Sequence, residues 1–149
     1  MMSIENRTYN DRSSAGNKKC MGDSQVSMMF PAYSRWDIVM AEFGQEYDCC
    51  MMRGYRPALV LSKDSYNEVS PIMVLIPLTK KLKGVDKDYH VFIDKTDCIG
   101  YHSSGIALIE QIRTMDRRFV NRKIGEVSDL HLKRKILEAV SEFFSLDSE

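Results

Sequence analysis

Arg53-Gly-Tyr-Arg-Pro-Ala-Leu-Val-Leu-Ser62 is the stretch from which the architecture can be read outward. From Pro57 to Leu61 it is apolar without interruption, so both faces are expected to be covered, as in an interior β-strand. Pro57 has no N–H to give to a ladder, which suits the first residues of a strand. Upstream, Gly44 to Tyr55 is rich in glycine, aspartate and other charges and reads as a long loop. Before it, Trp36, Ile38 and Met40 alternate with Asp37, Val39 and Ala41, which is the period of a strand.

Downstream, Asp64 to Ser70 holds turn-forming residues. Pro71 to Leu78 is a second apolar run, closed by Pro77 and Thr79, and Lys80 to Lys87 is a basic loop around Gly84. Tyr89, Val91 and Ile93 alternate with His90, Phe92 and Asp94, giving a half-buried strand with His90 on its exposed side. Asp97 to Gly105 reads as a turn region. Ile106 to Asp116 reads as one further strand with polar Glu110 and Gln111 inside it.

The last element is a helix. Ser128 is its expected N-cap, Asp129 suits the positive end of the dipole, and Val127 and Leu132 stand at hydrophobic-staple positions. Leu132, Ile136, Val140, Phe143 and Phe144 recur at helical spacing, with Lys133, Arg134 and Lys135 largely on the other face. Five or so short strands followed by one helix give a mostly-β (α+β) domain. Closing such a sheet into a small β-barrel would remove its exposed edges.

The 149 residues fit one domain, and a chain of this size buries roughly 70% of its unfolded surface. Residues 1–31 are polar, show no apolar period and read as a disordered or loosely attached extension, leaving 32–149 as the folded domain. Met21, Met28 and Met29 stand as alternative starts. Lysine plus arginine equals aspartate plus glutamate, 21 each, which argues against a generally basic nucleic-acid binder but not against a local basic groove. There is no apolar run of membrane-spanning length and no leader-like apolar stretch, so no membrane role and a cytoplasmic location are expected. Cys20, Cys49, Cys50 and Cys98 form no C-x-x-C pair, and His90, His102 and His131 lie far apart, so no metal and no cofactor are expected. Free thiols fit a reducing compartment.

Four marks recur in order along the chain. They are Gly54-Tyr-Arg-Pro-Ala-Leu-Val-Leu-Ser62 with Asn67 after it, Pro77-Leu78-Thr79 at a strand end, Glu110-Gln-Ile-Arg-Thr-Met-Asp116, and Ile124-Gly125 before the last helix. From about Arg35 to Phe144 the chain thereby resembles the MazF/PemK toxins of type II toxin–antitoxin systems. The resemblance implies an SH3-like small barrel with a C-terminal helix, paired as a homodimer, with single-stranded RNA in a groove at the dimer face. It implies a sequence-specific endoribonuclease that needs no metal. The ribose 2′-OH attacks and leaves a 2′,3′-cyclic phosphate and a 5′-OH. It also implies a cognate antitoxin protein as partner.

The catalytic residues carried over are Arg56 and Thr79. A guanidinium presents a planar fork of donors with a fixed charge, suited to a phosphoryl group gaining negative charge, and a threonine hydroxyl can donate to the same phosphate. Expected RNA-binding residues are Arg53, Gly54, Tyr55, Lys80, Lys81 and Gln111, with Lys83 as a further phosphate contact. A plainer reading makes Glu110 and Gln111 a hydrogen-bonded core pair and Arg113 and Asp116 a structural ion pair. Where many family members carry Gly-Ser-Glu-Gln, this chain has Cys49-Cys50-Met51-Met52, so the family carboxylate is replaced by Met51. Methionine cannot take a proton; Glu46 and Asp48 are the nearby carboxylates that could substitute.

Two non-catalytic readings stand beside the ribonuclease. One is a binding toxin of the CcdB kind, which shares the fold and poisons DNA gyrase. The other is an inactive regulator that binds only an antitoxin or DNA. Arg56 and Thr79 favour the ribonuclease, and the lost carboxylate favours the alternatives.

Overall fold

The structure, a computed structural model, describes residues 32–45, 50–81 and 88–147. The extension 1–31, with its candidate starts and Cys20, lies outside the described residues, as do Glu46, Asp48, Cys49 and Lys83.

Eight strands precede the last helix: β1 (Asp37–Glu42), β2 (Tyr55–Val60), β3 (Ile72–Thr79), β4 (His90–Ile93), β5 (Cys98–Ile99), β6 (Gly105–Leu108), β7 (Arg113–Asp116) and β8 (Val120–Val127). A short helix α1 (Asp64–Asn67) joins β2 to β3, and α2 (Leu130–Phe144) closes the described chain. The strands form one antiparallel sheet in the order β4-β6-β3-β2-β1-β8-β5, with β7 also paired to β3. It curls as a mostly-β half-barrel, with β4 and β5 at the two ends of the path.

The period-2 alternation sorts side chains between two cores, one on each face of the sheet. Ile38, Leu59, Ile76 and Leu78 point into one, where Leu132, Ile136 and Ala139 of α2 also pack. Val39, Ala41, Ala58, Val60, Met73 and Leu75 point into the other, with Tyr33, Phe43 and Met115. The β1–β2 register matches like with like, Ile38 opposite Leu59 and Val39 opposite Ala58. The central run is therefore apolar at every position because both of its faces are covered, as its sequence required. Each fully buried Leu or Ile contributes about 1.5–3 kcal/mol.

Several local expectations are corrected. Asp129, not Ser128, caps α2: its carboxylate accepts from the Leu132 N–H at 2.8 Å. The Ser128 hydroxyl is turned away to the Asp97 carbonyl at 3.1 Å, and the staple positions shift with the cap. The expected single strand 106–116 is two, β6 and β7, because residues 109–111 tighten into a 3-10 turn carrying Glu110 and Gln111. The eighth strand, β8, was not anticipated. Its pairing with β1 slips at Ile38/Val39 and again at Met40/Ala41, and these irregularities blur the alternation that would have announced it. His90 is half-buried rather than exposed, with Nε2 2.9 Å from Glu110 Oε1. Asp116 pairs with Arg118 at 2.8 Å, while Arg113 donates to the Phe43 carbonyl at 2.8 Å and lies over the Phe43 ring.

Candidate RNA-binding cleft

β2 and β3 are paired at Val60–Leu75, Leu59–Ile76 and Ala58–Pro77. Beyond Pro77 they part. β2 continues along β1 through Pro57, Arg56 and Tyr55, while Leu78 and Thr79 of β3 turn to pair with β6. Hydrogen-bonded pairs alternate along this ladder from Leu61 and Val74, so the next after Leu59 and Ile76 would need the N–H that Pro57 lacks, which explains why the separation falls here. Arg56 and Thr79 each lie two residues beyond the last partners, Ala58 and Pro77.

A cleft of about 470 Å³ opens between the parted strands, lined by Met52, Tyr55, Arg56, Pro57, Leu78, Thr79, Lys80 and Lys81. Five of the eight residues expected to be catalytic or RNA-binding thus line one cleft: Tyr55 and Arg56 from β2, and Thr79, Lys80 and Lys81 from the end of β3. Arg53 and Gly54 stand in the loop that leads into it. Gly54 adopts φ +78°, a left-handed conformation that a residue with a Cβ takes with strain, and its N–H donates to the Gly44 carbonyl at 2.7 Å. Gln111 approaches the same loop from outside: its amide oxygen accepts from the Met52 N–H, and its amide nitrogen lies 3.4 Å from the Cys50 carbonyl.

Arg56 is half-buried, and its Nε donates to the Arg53 carbonyl at 2.6 Å. That bond fixes the plane of the guanidinium and leaves its two terminal nitrogens to face a ligand. Thr79 is buried, and its hydroxyl lies 3.2 Å from the Lys81 carbonyl and 3.3 Å from the Lys81 nitrogen. The hydroxyl thus knits the first turn of the basic loop onto the strand end. Lys80 and Lys81 are exposed, and Tyr55 presents about half its surface. Three cations, a donor hydroxyl and an aromatic face around one cleft suit a phosphodiester with an adjacent base.

Sequence reasoning missed Met52, Pro57 and Leu78 as cleft walls and the Arg53 carbonyl as the anchor of Arg56. A backbone carbonyl leaves no mark in a residue string. A second hollow of about 330 Å³, between Glu42–Gly44, Arg113–Asp116 and Phe119, was also unannounced. Met51 is exposed and lies in the loop rather than among the lining residues. Among the described residues no group of three His, Cys, Asp or Glu side chains is arranged to hold a metal, and no helix is long and apolar enough to cross a membrane. Burial pushes the Cys98 thiol up to about 11, which keeps it protonated and unreactive at neutral pH.

The family model for PemK-like, MazF-like toxins of type II toxin–antitoxin systems matches residues 34–144. The chain belongs to this family. The endoribonuclease EndoA of Bacillus subtilis (strain 168) is 32% identical over 87 residues, which span 58% of this chain and 73% of EndoA. Among solved structures, MazF from Deinococcus radiodurans matches with TM-score 0.64 at 22% identity, over 77% of this chain and 98% of that one. A mycobacterial endoribonuclease in complex with its cognate antitoxin matches with TM-score 0.58 at 19% identity, over 76% and 94% of the two chains. These two likenesses bear on the fold, and they agree with a half-barrel closed by a C-terminal helix. All four sequence marks of the family lie within the described residues: two line or border the cleft, and Asn67 and Gly125 are buried in the scaffold.

Proposed function

We propose that this protein is the ribonuclease toxin of its toxin–antitoxin pair. It cuts single-stranded RNA at a preferred sequence, in the cytoplasm, without a metal ion. The observation that carries this reading is that Arg56 and Thr79 line one cleft with Tyr55, Lys80 and Lys81. The endoribonuclease relative supports it independently.

The ribose 2′-OH attacks the adjacent phosphorus, and charge accumulates on the phosphoryl oxygens. Arg56 binds those oxygens through its terminal nitrogens while Nε stays on Arg53. The Thr79 hydroxyl exchanges its bond to the Lys81 carbonyl for one to the phosphate. Aimed donors of this kind are worth about 3–4 kcal/mol each, a hundredfold to a thousandfold in rate. Lys80 and Lys81 neutralise flanking phosphates, and Tyr55 offers a face for a base. The P–O2′ bond forms as the P–O5′ bond breaks, and the proton given up by the 2′-OH passes to water while the leaving oxygen takes one from water, so the products are a 2′,3′-cyclic phosphate and a 5′-OH.

The protein acts as a homodimer. The β4 edge with exposed Phe92, and Phe143, Phe144 and Leu146 at the end of α2, offer the apolar surface that pairing would cover. A cognate antitoxin is the regulatory partner, as in the mycobacterial complex. Light scattering at micromolar concentration should give twice the chain mass; a monomer removes the dimer from this account.

The decisive experiment incubates the purified protein with a long single-stranded RNA in EDTA and maps the new ends. Discrete cuts with cyclic-phosphate and 5′-OH ends, lost in Arg56→Ala, are expected. An RNA left intact at high protein concentration would sink the ribonuclease reading and favour a toxin that acts by binding.

A further inference from the structure

We infer that Gln111 is a positioning residue that sets Arg56 through the backbone of the Cys50–Arg53 loop, rather than a reader of RNA bases. The inference rests on the ribonuclease reading of the cleft and assigns Gln111 a different task within it.

The 3-10 turn at Ile109–Gln111 departs from the sheet between β6 and β7 and points the Gln111 side chain at the loop. Its amide oxygen accepts from the Met52 N–H and its amide nitrogen reaches the Cys50 carbonyl at 3.4 Å. Both ends of the amide are thus spent on one loop, fifty-nine residues away for the first bond and sixty-one for the second. The residue after Met52 is Arg53, whose carbonyl receives Arg56 Nε at 2.6 Å. The path runs from Gln111 to the Met52 amide, one peptide further to the Arg53 carbonyl, and from there to the guanidinium in the cleft. On its far side the loop is tied to the sheet at Gly54, whose N–H donates to the Gly44 carbonyl and whose carbonyl accepts from the Phe43 N–H. Gln111 therefore holds the stretch before Arg53 as Gly54 holds the stretch after it, and the Arg53 carbonyl that receives Arg56 Nε is set between the two. Placement of the donor, not affinity for RNA, is what this clamp controls, and misplacement of about 1 Å at a reacting centre costs about a hundredfold.

The test compares wild type, Gln111→Ala, Gln111→Met and Gln111→Glu in the full chain. Gln111→Met keeps the volume and loses both hydrogen bonds; Gln111→Glu keeps the acceptor for the Met52 N–H. Cleavage of a short RNA gives kcat and KM. An analogue with a 2′-deoxyribose at the cleaved position gives binding alone, and end mapping gives the cut sequence. Ala and Met should lower kcat tenfold or more, leave binding of the analogue within twofold and leave the cut sequence unchanged, while Glu recovers most of kcat. Loss of binding with an altered cut sequence would show a base reader and overturn the inference, as would unchanged kcat in Ala and Met. Hydrogen exchange at the Met52 amide should speed up in Ala and Met and not in Glu, and unchanged exchange overturns the clamp even in a protein that cuts no RNA. A wild type that cuts nothing fails the ribonuclease reading instead, so the two failures are distinguishable.

Discussion

Arg56 and Thr79 line one cleft that opens where β2 and β3 cease to pair, each two residues beyond the last partners Ala58 and Pro77. Neither side chain has the other as its partner. Arg56 leans on the Arg53 carbonyl and Thr79 on the backbone of Lys81. Each donor is held by a bond to its own neighbouring backbone, and the last β2–β3 pair, Ala58 and Pro77, lies two residues from both.

Arg56→Lys should therefore be no mild change. It keeps a cation but loses the planar fork and the Nε bond to Arg53. Turnover is expected to fall at least about tenfold, against roughly a hundredfold to a thousandfold for Arg56→Ala. Single-turnover cleavage of a labelled RNA reads both.

Thr79→Val removes only the hydroxyl from a buried position and Thr79→Ser keeps it. If the hydroxyl donates to the phosphate, cleavage by the serine variant stays within several-fold of wild type, while the valine variant loses on the order of a hundredfold. Equal rates for the two variants would remove Thr79 from the reaction.

Asn67 is a scaffold residue, and its effect should be on stability. Its amide nitrogen donates to the Ser62 carbonyl at 2.8 Å, its oxygen accepts from the Ser62 hydroxyl at 2.5 Å, and that hydroxyl in turn accepts from the Val74 N–H at 3.0 Å. Asn67→Ala strands these groups in a buried site, at a cost of about 1–3 kcal/mol. A lower urea midpoint with cleavage per folded molecule within twofold is the expected pair of results.

Gly125 is required by a close crossing. A Cβ there would meet Tyr101 Cβ and N at 2.6 Å and the Ile99 carbonyl oxygen at 2.8 Å, two of them backbone atoms that cannot step aside. Gly125→Ala should destabilise by about 1–3 kcal/mol, read as a drop in thermal midpoint.

The acid limb of stability should carry the Arg118–Asp116 pair. Hydrogen bonding from the Arg118 side chain holds the Asp116 carboxyl below its ordinary value, against a smaller opposing effect of burial. A carboxyl depressed in the folded state stabilises above its unfolded pKa, and that contribution is lost as pH falls through the folded value. Wild type should exceed Arg118→Gln in stability at pH 7, by about 1 kcal/mol or less for so exposed a pair, and the gap should close below roughly pH 4. Urea midpoints measured from pH 7 to pH 3 check the sign.

How far the chain could be read in advance depended on whether a feature was local. Trp36–Ala41, Pro57–Leu61 and Tyr89–Ile93 announced strands because burial on one or both faces imposes a period on adjacent residues. β8 did not, since its register slips twice against β1. Glu110 and Gln111 looked like polar members of a strand, and only their contacts show a turn that reaches His90 on one side and the Met52 loop on the other. Ser128 and Asp129 are both good caps by type; which one serves was decided by the Asp97 carbonyl, which takes the serine hydroxyl.

By itself, the sequence determined the class of this protein: a mostly-β domain with a C-terminal helix, and four family marks in order from Gly54 to Gly125. Those follow from composition, period and motif, all properties of neighbours along the chain. The cleft was decided by tertiary structure alone. Arg56 and Thr79 are brought into one cleft by the register of two strands and by a proline that ends their ladder, while a glutamine from a distant turn ties down the loop before Arg56. Such pairings join residues far apart in the chain, and a string of residues carries no distance across a sheet.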